Sequence, residues 1–500
     1  MKKNLLILTA IIASCFVAHA QNRYLNQVFT DFTVTPIIYD TNIWVPPFSG
    51  SPTNPGPRAQ FGAFYAPIGD TLIERPLIIY MHTGSFLPAV TNQQTTGNLN
   101  DSTVVEMCRQ FAKRGFVALA INYRIGWNPA TTDANIATGQ LLNATYRAVQ
   151  DAKNAIRFAR LNAAALGIDT SRIILGGQGT GGYASFASAS LNKYGEITLG
   201  KFINTANSLP HVDTALSGDW NGLGGSVLNR AGDEAIPTNF HFEFNLGGAM
   251  GDSSWLEAGD VPMVGFHCLN DPFAPYGRGN VIVPTTQAVV IQNASGSKVV
   301  IEKANRLGNN DAINAKKYSD VLTEKALVSS EGTANLYTFR FGQFPVQGSP
   351  WEWWDRAAMQ ARGQAGITAD SSSMLTNPDM SEAKAKAYID TIQGFLVPRI
   401  VVALNLPGRN LFINTSVKET VSLNSQLFIF PNPATDEIIV QLPIAMKLVS
   451  LIDITGRMIV SLQPQDLQAK LDLSNISPGL YFVNVIANDG RSATKRIVIQ

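Results

Sequence analysis

The stretch Arg172-Ile173-Ile174-Leu175-Gly176-Gly177-Gln178-Gly179-Thr180-Gly181-Gly182 decides how the rest of this chain is read. Ile173 to Leu175 form a short apolar run, as in a buried strand. Five glycines in the next seven residues demand a sharp turn, and a helical pattern resumes from about Tyr183. Outward from this strand-turn-helix, the pattern from about Val28 to Pro398 alternates short apolar runs with helical spacing. Such alternation predicts a parallel sheet flanked by helices. Strands are expected at Pro76 to Met81, Phe116 to Asn122, Pro262 to His267 and Leu336 to Phe341. Helices are expected at Asp101 to Arg114, with Asp101 as N-cap, at Asn143 to Leu166 and at Ser381 to Leu396. In the middle helix Ala148, Ala152, Ala155, Ile156 and Ala159 mark a packed face. Residues 272–335 read as an insertion with strand-like Ala288 to Ile291 and Lys298 to Ile301 and a helical stretch near Tyr318 to Leu327. Insertions of this kind form caps over strand ends. Periodicity is lost over 409–425, which reads as a linker.

With 500 residues the chain is long enough for two or three domains. Its composition, 45% hydrophobic and 15% charged, is that of a folded globular protein. The formal charge of +1 offers no electrostatic footprint for nucleic acid. Residues 1–20 have the form of a signal peptide: Lys2 and Lys3, an apolar run from Leu5 to Val17, then Ala18-His19-Ala20 before Gln21. The lipobox-like Ile12-Ala13-Ser14-Cys15 is the alternative, with acylation at Cys15. Cys108 and Cys268 form no C-x-x-C pair and read as buried free thiols. Neither a metal nor a cofactor is called for.

The glycine-rich turn resembles the nucleophile elbow of α/β-hydrolases of the esterase and lipase type. The resemblance implies a doubly wound, mostly parallel sheet over residues 21–408. It puts the nucleophile position at Gly179, which has no side chain. Thr180, in a shifted register, is the alternative nucleophile, although a β-branched residue is costly at so strained a turn. His82-Thr83-Gly84-Ser85-Phe86 is similar to the oxyanion loop of the same enzymes, so Gly84, Ser85 and Thr180 become the implied oxyanion residues. Asp271, at the end of an apolar strand, takes the implied acid position. The family's histidine should follow the acid, but no histidine follows His267. Gln347 or Gly348 stands near its expected place.

From Leu427 the pattern changes to short strands and turns, as in a small β-sandwich. Pro431-Asn432-Pro433, Asp453 to Gly456, Pro478-Gly479-Leu480-Tyr481 and the closing Lys495-Arg496-Ile497-Val498-Ile499 together resemble the type A sorting domain of Bacteroidota type IX secretion. The resemblance spans 426–500 and implies engagement of that machinery, passage through the periplasm, and release or display at the outer-membrane surface.

Two empty triad positions imply a pseudoenzyme that uses its pocket for a small-molecule, ester or glycan ligand. An active ester hydrolase with relocated chemistry is the alternative, through Thr180 with His211 or His241, or through Asp271 with Glu352 or Asp355. A structural or adhesive scaffold is the third expectation, marked by a filled pocket and a large exposed apolar patch. Trp351, Trp353 and Trp354 read as amphipathic core, with a stacking wall of the pocket as the alternative.

Overall fold

The computed structural model describes residues 23–45, 55–89, 92–225, 227–282, 289–314, 318–342, 346–411 and 423–500. The signal-peptide reading, Cys15 included, and most of the expected linker lie outside these residues. Two compact units are present, residues 1–414 and 415–500.

Eight strands of the first unit form one sheet: β1 (Phe32–Trp44), β2 (Gly56–Pro67), β3 (Arg75–Met81), β4 (Val117–Ile121), β5 (Ile168–Gln178), β6 (Phe242–Leu246), β7 (Met263–Cys268) and β8 (Leu336–Phe339). Their order is β1-β2-β4-β3-β5-β6-β7-β8. β1 and β2 pair antiparallel with their neighbours, and the run from β4 to β8 is parallel. This strand order and the helical crossovers are those of an α/β-hydrolase fold. The parallel strands are buried on both faces, which is why they read as unbroken apolar runs.

One face carries α1 (Ser102–Arg114), α5 (Val321–Ser329) and α7 (Glu382–Ala403); the other carries α2 (Ala134–Leu161), α3 (Thr180–Ser190) and α4 (Ser297–Arg306); α6 (Gln364–Thr376) precedes α7 in the chain. Ala148, Ala152, Ala155, Ile156 and Ala159 are all buried, so α2 lies on the sheet through small side chains that permit close approach. The thiols of Cys108 and Cys268 are buried and unpaired.

Several element boundaries differ from expectation. α2 begins at Ala134 rather than Asn143, because Asp133 caps it by accepting from the Asn135 and Ile136 N–H groups. Its end, expected at Leu166, comes at Leu161, where Asn162 leaves helical geometry. α7 runs through Pro398 to Ala403; Phe395 to Val402 are all buried, and that packing outweighs the proline. Lys298 to Ile301 belong to helix α4, not a strand, with Val300, Ile301 and Ala304 buried at helical spacing. The expected insertion therefore does two jobs: α4 and α5 are ordinary crossover helices, and only the hairpin Arg278–Ile282 with Val289–Gly296 reaches the strand ends. β6 was not anticipated. Its Glu243 and Asn245 alternate with apolar residues as on a half-exposed strand, yet both are fully buried. Glu243 accepts from Ser185 Oγ at 2.7 Å and Asn245 donates to the Gly182 carbonyl at 2.6 Å, both on α3.

Beyond β4, Asp151 of α2 accepts from the Arg124 backbone N–H at 2.5 Å and from its Nε at 2.8 Å, and both side chains are fully buried. The pair anchors the Tyr123-Arg124 segment beside the C-terminal ends of β3 and β5.

The second unit stacks a sheet of Phe428–Phe430, Glu437–Gln441 and Gln468–Asp472 against one of Met458–Leu462, Met446–Asp453, Gly479–Ala487 and Ser492–Ile499. Ile438, Val440, Leu451, Val483 and Val485 fill the space between the two sheets.

Removing one member of a buried ion pair leaves the other charge uncompensated, at a cost of about 3–5 kcal/mol. Asp151→Ala should lower the unfolding free energy of the first unit by that amount in chemical denaturation, and an unchanged midpoint would show that the pair is dispensable.

Candidate active site

Gly179 sits where β5 turns into α3, with φ 52° and ψ −118°, a conformation costly for any residue with a side chain. Space is as restrictive as the dihedrals. A Cβ built on Gly179 would lie 2.0 Å from Thr83 Oγ1 and 2.8 Å from Thr83 Cβ. One on Gly181 would lie 2.3 Å from the Met81 carbonyl oxygen and 2.5 Å from that of His82. The glycine run thus lets the first turn of α3 seat directly on the end of β3.

The loop after β3 brings Thr83, Gly84 and Ser85 to the same place. His82 is buried behind it, stacked on Tyr123 at 4.6 Å, with Nδ1 against the Thr83 carbonyl. Burial pushes its pKa down to about 4, so the ring is neutral. Tyr123 donates its hydroxyl proton to the His82 carbonyl at 2.8 Å. Thr180 Oγ1 therefore acts as donor to the Tyr123 oxygen, at 3.0 Å. Burial raises the phenol pKa above its ordinary value, so Tyr123 offers Thr180 no base.

Past β7, Asp271 Oδ1 accepts from the Phe273 and Ala274 N–H groups at 2.7 and 3.2 Å. His267 Nε2 is 4.0 Å from Oδ2 and bonds instead to the Ala274 carbonyl at 3.1 Å. Its ring is also neutral, with a pKa of about 4 from burial. Desolvation raises the Asp271 carboxyl to about 7. Glu352 is raised to about 8, by desolvation first and then by the charges of Asp101 and Asp271. The Gln178 side chain accepts from the Tyr80 hydroxyl at 2.8 Å and donates to Glu352 Oε1 at 3.3 Å.

Gly84, Ser85, Gly179, Thr180 and Asp271, the residues expected from sequence, line one cavity of about 120 Å³ together with Thr83 and Glu352. Phe86, Trp127, Tyr183, Phe273 and Ile291 give it an apolar wall. The cavity lies at the carboxyl ends of the parallel strands, where open α/β sheets bind their ligands. Gly348 adjoins Asp271, since a Cβ on it would lie 3.4 Å from Oδ1. Gln347 points elsewhere, toward Asp379 and Lys384.

Other expected candidates stand apart. His241 Nδ1 accepts from the Ile173 N–H at 3.1 Å. Ile173 lies six residues before Gly179 along β5, so that imidazole is about 20 Å from the turn at strand spacing. His211 packs on Gly139 of α2. Asp355 caps a short helix through the Ala358 N–H. Trp351 and Trp354 are buried and do not line the cavity; of the Trp351 to Trp354 run, only Glu352 does. Thr83, Tyr123 and Trp127 were not anticipated. Their roles arise from proximity across the fold, and no local pattern signals them. Among the described residues no cluster of His, Cys, Asp or Glu is arranged to hold a metal ion.

A family model described as the secretion system C-terminal sorting domain matches residues 428–500, and one described as BD-FAE matches residues 64–222. The chain is thus similar to an esterase-like α/β-hydrolase domain over 64–222 and to a secretion sorting domain over 428–500. Similar solved structures include the native form of a thermophilic esterase from Thermogutta terrifontis, at 15% identity and TM-score 0.33, covering 73% of this chain and 94% of that one. The propionate-bound form is similar at 14% identity and TM-score 0.33, with 68% and 92% covered. The form phosphorylated by paraoxon follows at 16% identity and TM-score 0.31, with 62% and 82% covered. No curated protein matches.

Two measurements test this geometry in the hydrolase-like domain. Gly179→Ser should destabilise it by about 1–3 kcal/mol through overpacking, and Thr83→Ala should relieve part of that loss, so a double-mutant cycle by denaturation should give a coupling of about 1 kcal/mol or more. Additive effects would show that Thr83 does not occupy the space beside Gly179. The Glu352 carboxyl titrates at 4.5 when unperturbed and at about 8 in the fold. Its proton-linked stability is therefore fully present below the lower value and lost as pH rises through the upper one. The melting temperature should fall less steeply between these values for Glu352→Gln than for the unaltered protein, and parallel curves would contradict the shift.

Proposed function

We propose that this chain is a ligand-binding relative of the esterases that does not turn over esters through a triad. On this reading a signal peptide carries it to the periplasm. Residues 426–500 then hand it to the type IX machinery, and it works secreted or at the outer-membrane surface. Its cavity takes a small organic ligand with an ester, carbonyl or glycan-like polar end.

The observation that carries the reading is the occupation of the elbow. Gly179 holds the strained nucleophile conformation without a nucleophile, and the Thr83 hydroxyl stands where its Cβ would be. Three further features support it. Gly348 adjoins the acid, on the side where the resemblance calls for a histidine. His267 lies on the core side of Asp271, neutral and bonded to a carbonyl. Thr180 gives its proton to a phenol, with no imidazole or carboxylate bonded to it. In a well-studied triad, loss of the nucleophile or the base alone costs about 10⁶ in rate, or roughly 8 kcal/mol of transition-state stabilisation. The oxyanion residues Gly84, Ser85 and Thr180 still line the cavity and suit a carbonyl oxygen better than a leaving group.

Hydrolysis of a short-chain activated ester by the full chain tests this. The expected rate equals that of buffer with added inert protein and is the same for Thr180→Ala. A clear rate abolished by Thr180→Ala would make the protein a threonine-dependent hydrolase.

A further inference from the structure

Asp271 is an acceptor without a donor. Its side chain is 3% exposed and lines the cavity. Oδ1 is satisfied by two backbone N–H groups, but Oδ2 receives no hydrogen bond from any described residue. The nearby imidazole of His267, 4.0 Å away, spends its Nε2 proton on the Ala274 carbonyl. That oxygen belongs to a side chain that lines the cavity, so a donor entering the cavity can pair with it. Glu352, on the same cavity, is in a similar state. Its only donor among the described residues is the Gln178 amide at 3.3 Å, whose orientation is set by the Tyr80 hydroxyl on its other end.

Among the described residues no lysine, arginine or histidine lines the cavity. The charged and titratable groups around the two acids come from four directions. Asp101, the residue before α1, adds a third carboxyl that repels Glu352. Cys268 and His267 lie on β7, and Tyr80 and Tyr183 on β3 and α3; all are neutral at ordinary pH, their titration moved by burial. Lys384 of α7 is engaged by Asp379, Gln347 and Asn377. Among the described residues none brings a positive charge into the cavity beside the two acids.

We propose that the cavity binds an amine-bearing ligand, whose ammonium group donates to Asp271 and Glu352 while its apolar body lies against Phe86, Trp127, Tyr183 and Phe273. The proposal rests on the non-catalytic reading above and names the ligand class for that same cavity. An ammonium brings three donors and cancels the repulsion between the acids. A hydroxyl brings one donor and leaves that repulsion in place. Aromatic walls favour a cation over a neutral group of the same shape. At about 120 Å³ the cavity is smaller than the apolar cavity of about 150 Å³ that holds benzene, so a single ring is the most it can enclose. Because both acids are held protonated near neutrality, binding of the cation releases protons and strengthens as pH rises.

The test is calorimetric titration of the full chain with benzylamine, and with benzyl alcohol as its neutral counterpart, between pH 6 and pH 8.5. Benzylamine should bind at least tenfold more tightly at the upper pH than at the lower, with proton release, while benzyl alcohol shows no such trend. Glu352→Gln should weaken benzylamine at least tenfold and flatten its pH dependence while the variant still unfolds in one cooperative transition. If that variant is misfolded, Asp271→Asn carries the same expectation. Benzylamine binding no tighter than benzyl alcohol at pH 8.5, or unaffected by either substitution, would overturn the proposal. Ester turnover lost in Thr180→Ala would instead overturn the non-catalytic reading, so the two failures are distinguishable.

Discussion

The first turn of α3 rests on the carbonyls that end β3, and everything at the cavity follows from that contact. Gly181 faces the Met81 and His82 carbonyl oxygens so closely that a methyl group would not fit. Once the helix is seated there, Gly179 must turn with positive φ, and Thr83 fills the space beside it. Asn245 and Glu243 of β6 clamp the same helix from the other side through Gly182 and Ser185. The contact is rigid because it is made of backbone and of buried, hydrogen-bonded side chains rather than of loops.

The same close packing dries out the acids. Asp271 and Glu352 line the cavity and Asp101 is buried near enough to raise Glu352, and burial makes each hold its proton more tightly than it would in solvent. Asp101 keeps its place by accepting from the Gly97 and Asn98 N–H groups, and Asp271 by accepting from Phe273 and Ala274. Glu352 has only a long contact to an amide. On the non-catalytic reading proposed above, the pocket keeps the two acids on one side and Gly84, Ser85 and Thr180 on the other.

Much of this was legible in the sequence, for local reasons. The Ile173 to Gly182 run signals strand, turn and helix because only glycine survives at positive φ and at close backbone approach. Asp271 is visible because an acid ends an apolar strand. The sorting domain is visible as a set of turns and strands between Phe430 and Ile499. What was hidden depends on long-range proximity or on burial of polar groups. Nothing beside Thr83 in the sequence says that its hydroxyl meets Gly179. The sequence offers Glu352 and Asp355 equally as partners for Asp271 and cannot choose between them; in the fold Trp351 and Trp354 turn into the core, Asp355 caps a short helix, and Glu352 faces the cavity. The Val299-Val300-Ile301 run has strand composition but helical burial, because α4 must cross back over the sheet to reach β8.

The central claim is that no side chain at this elbow can act as a nucleophile. Incubation of the full chain with an excess of a fluorophosphonate ester, followed by intact-mass measurement and peptide mapping, tests it most directly, because such reagents report a nucleophile even where turnover is slow. The account predicts an unmodified mass. A stoichiometric phosphonyl adduct mapped to Thr180, or to Thr83, would contradict it.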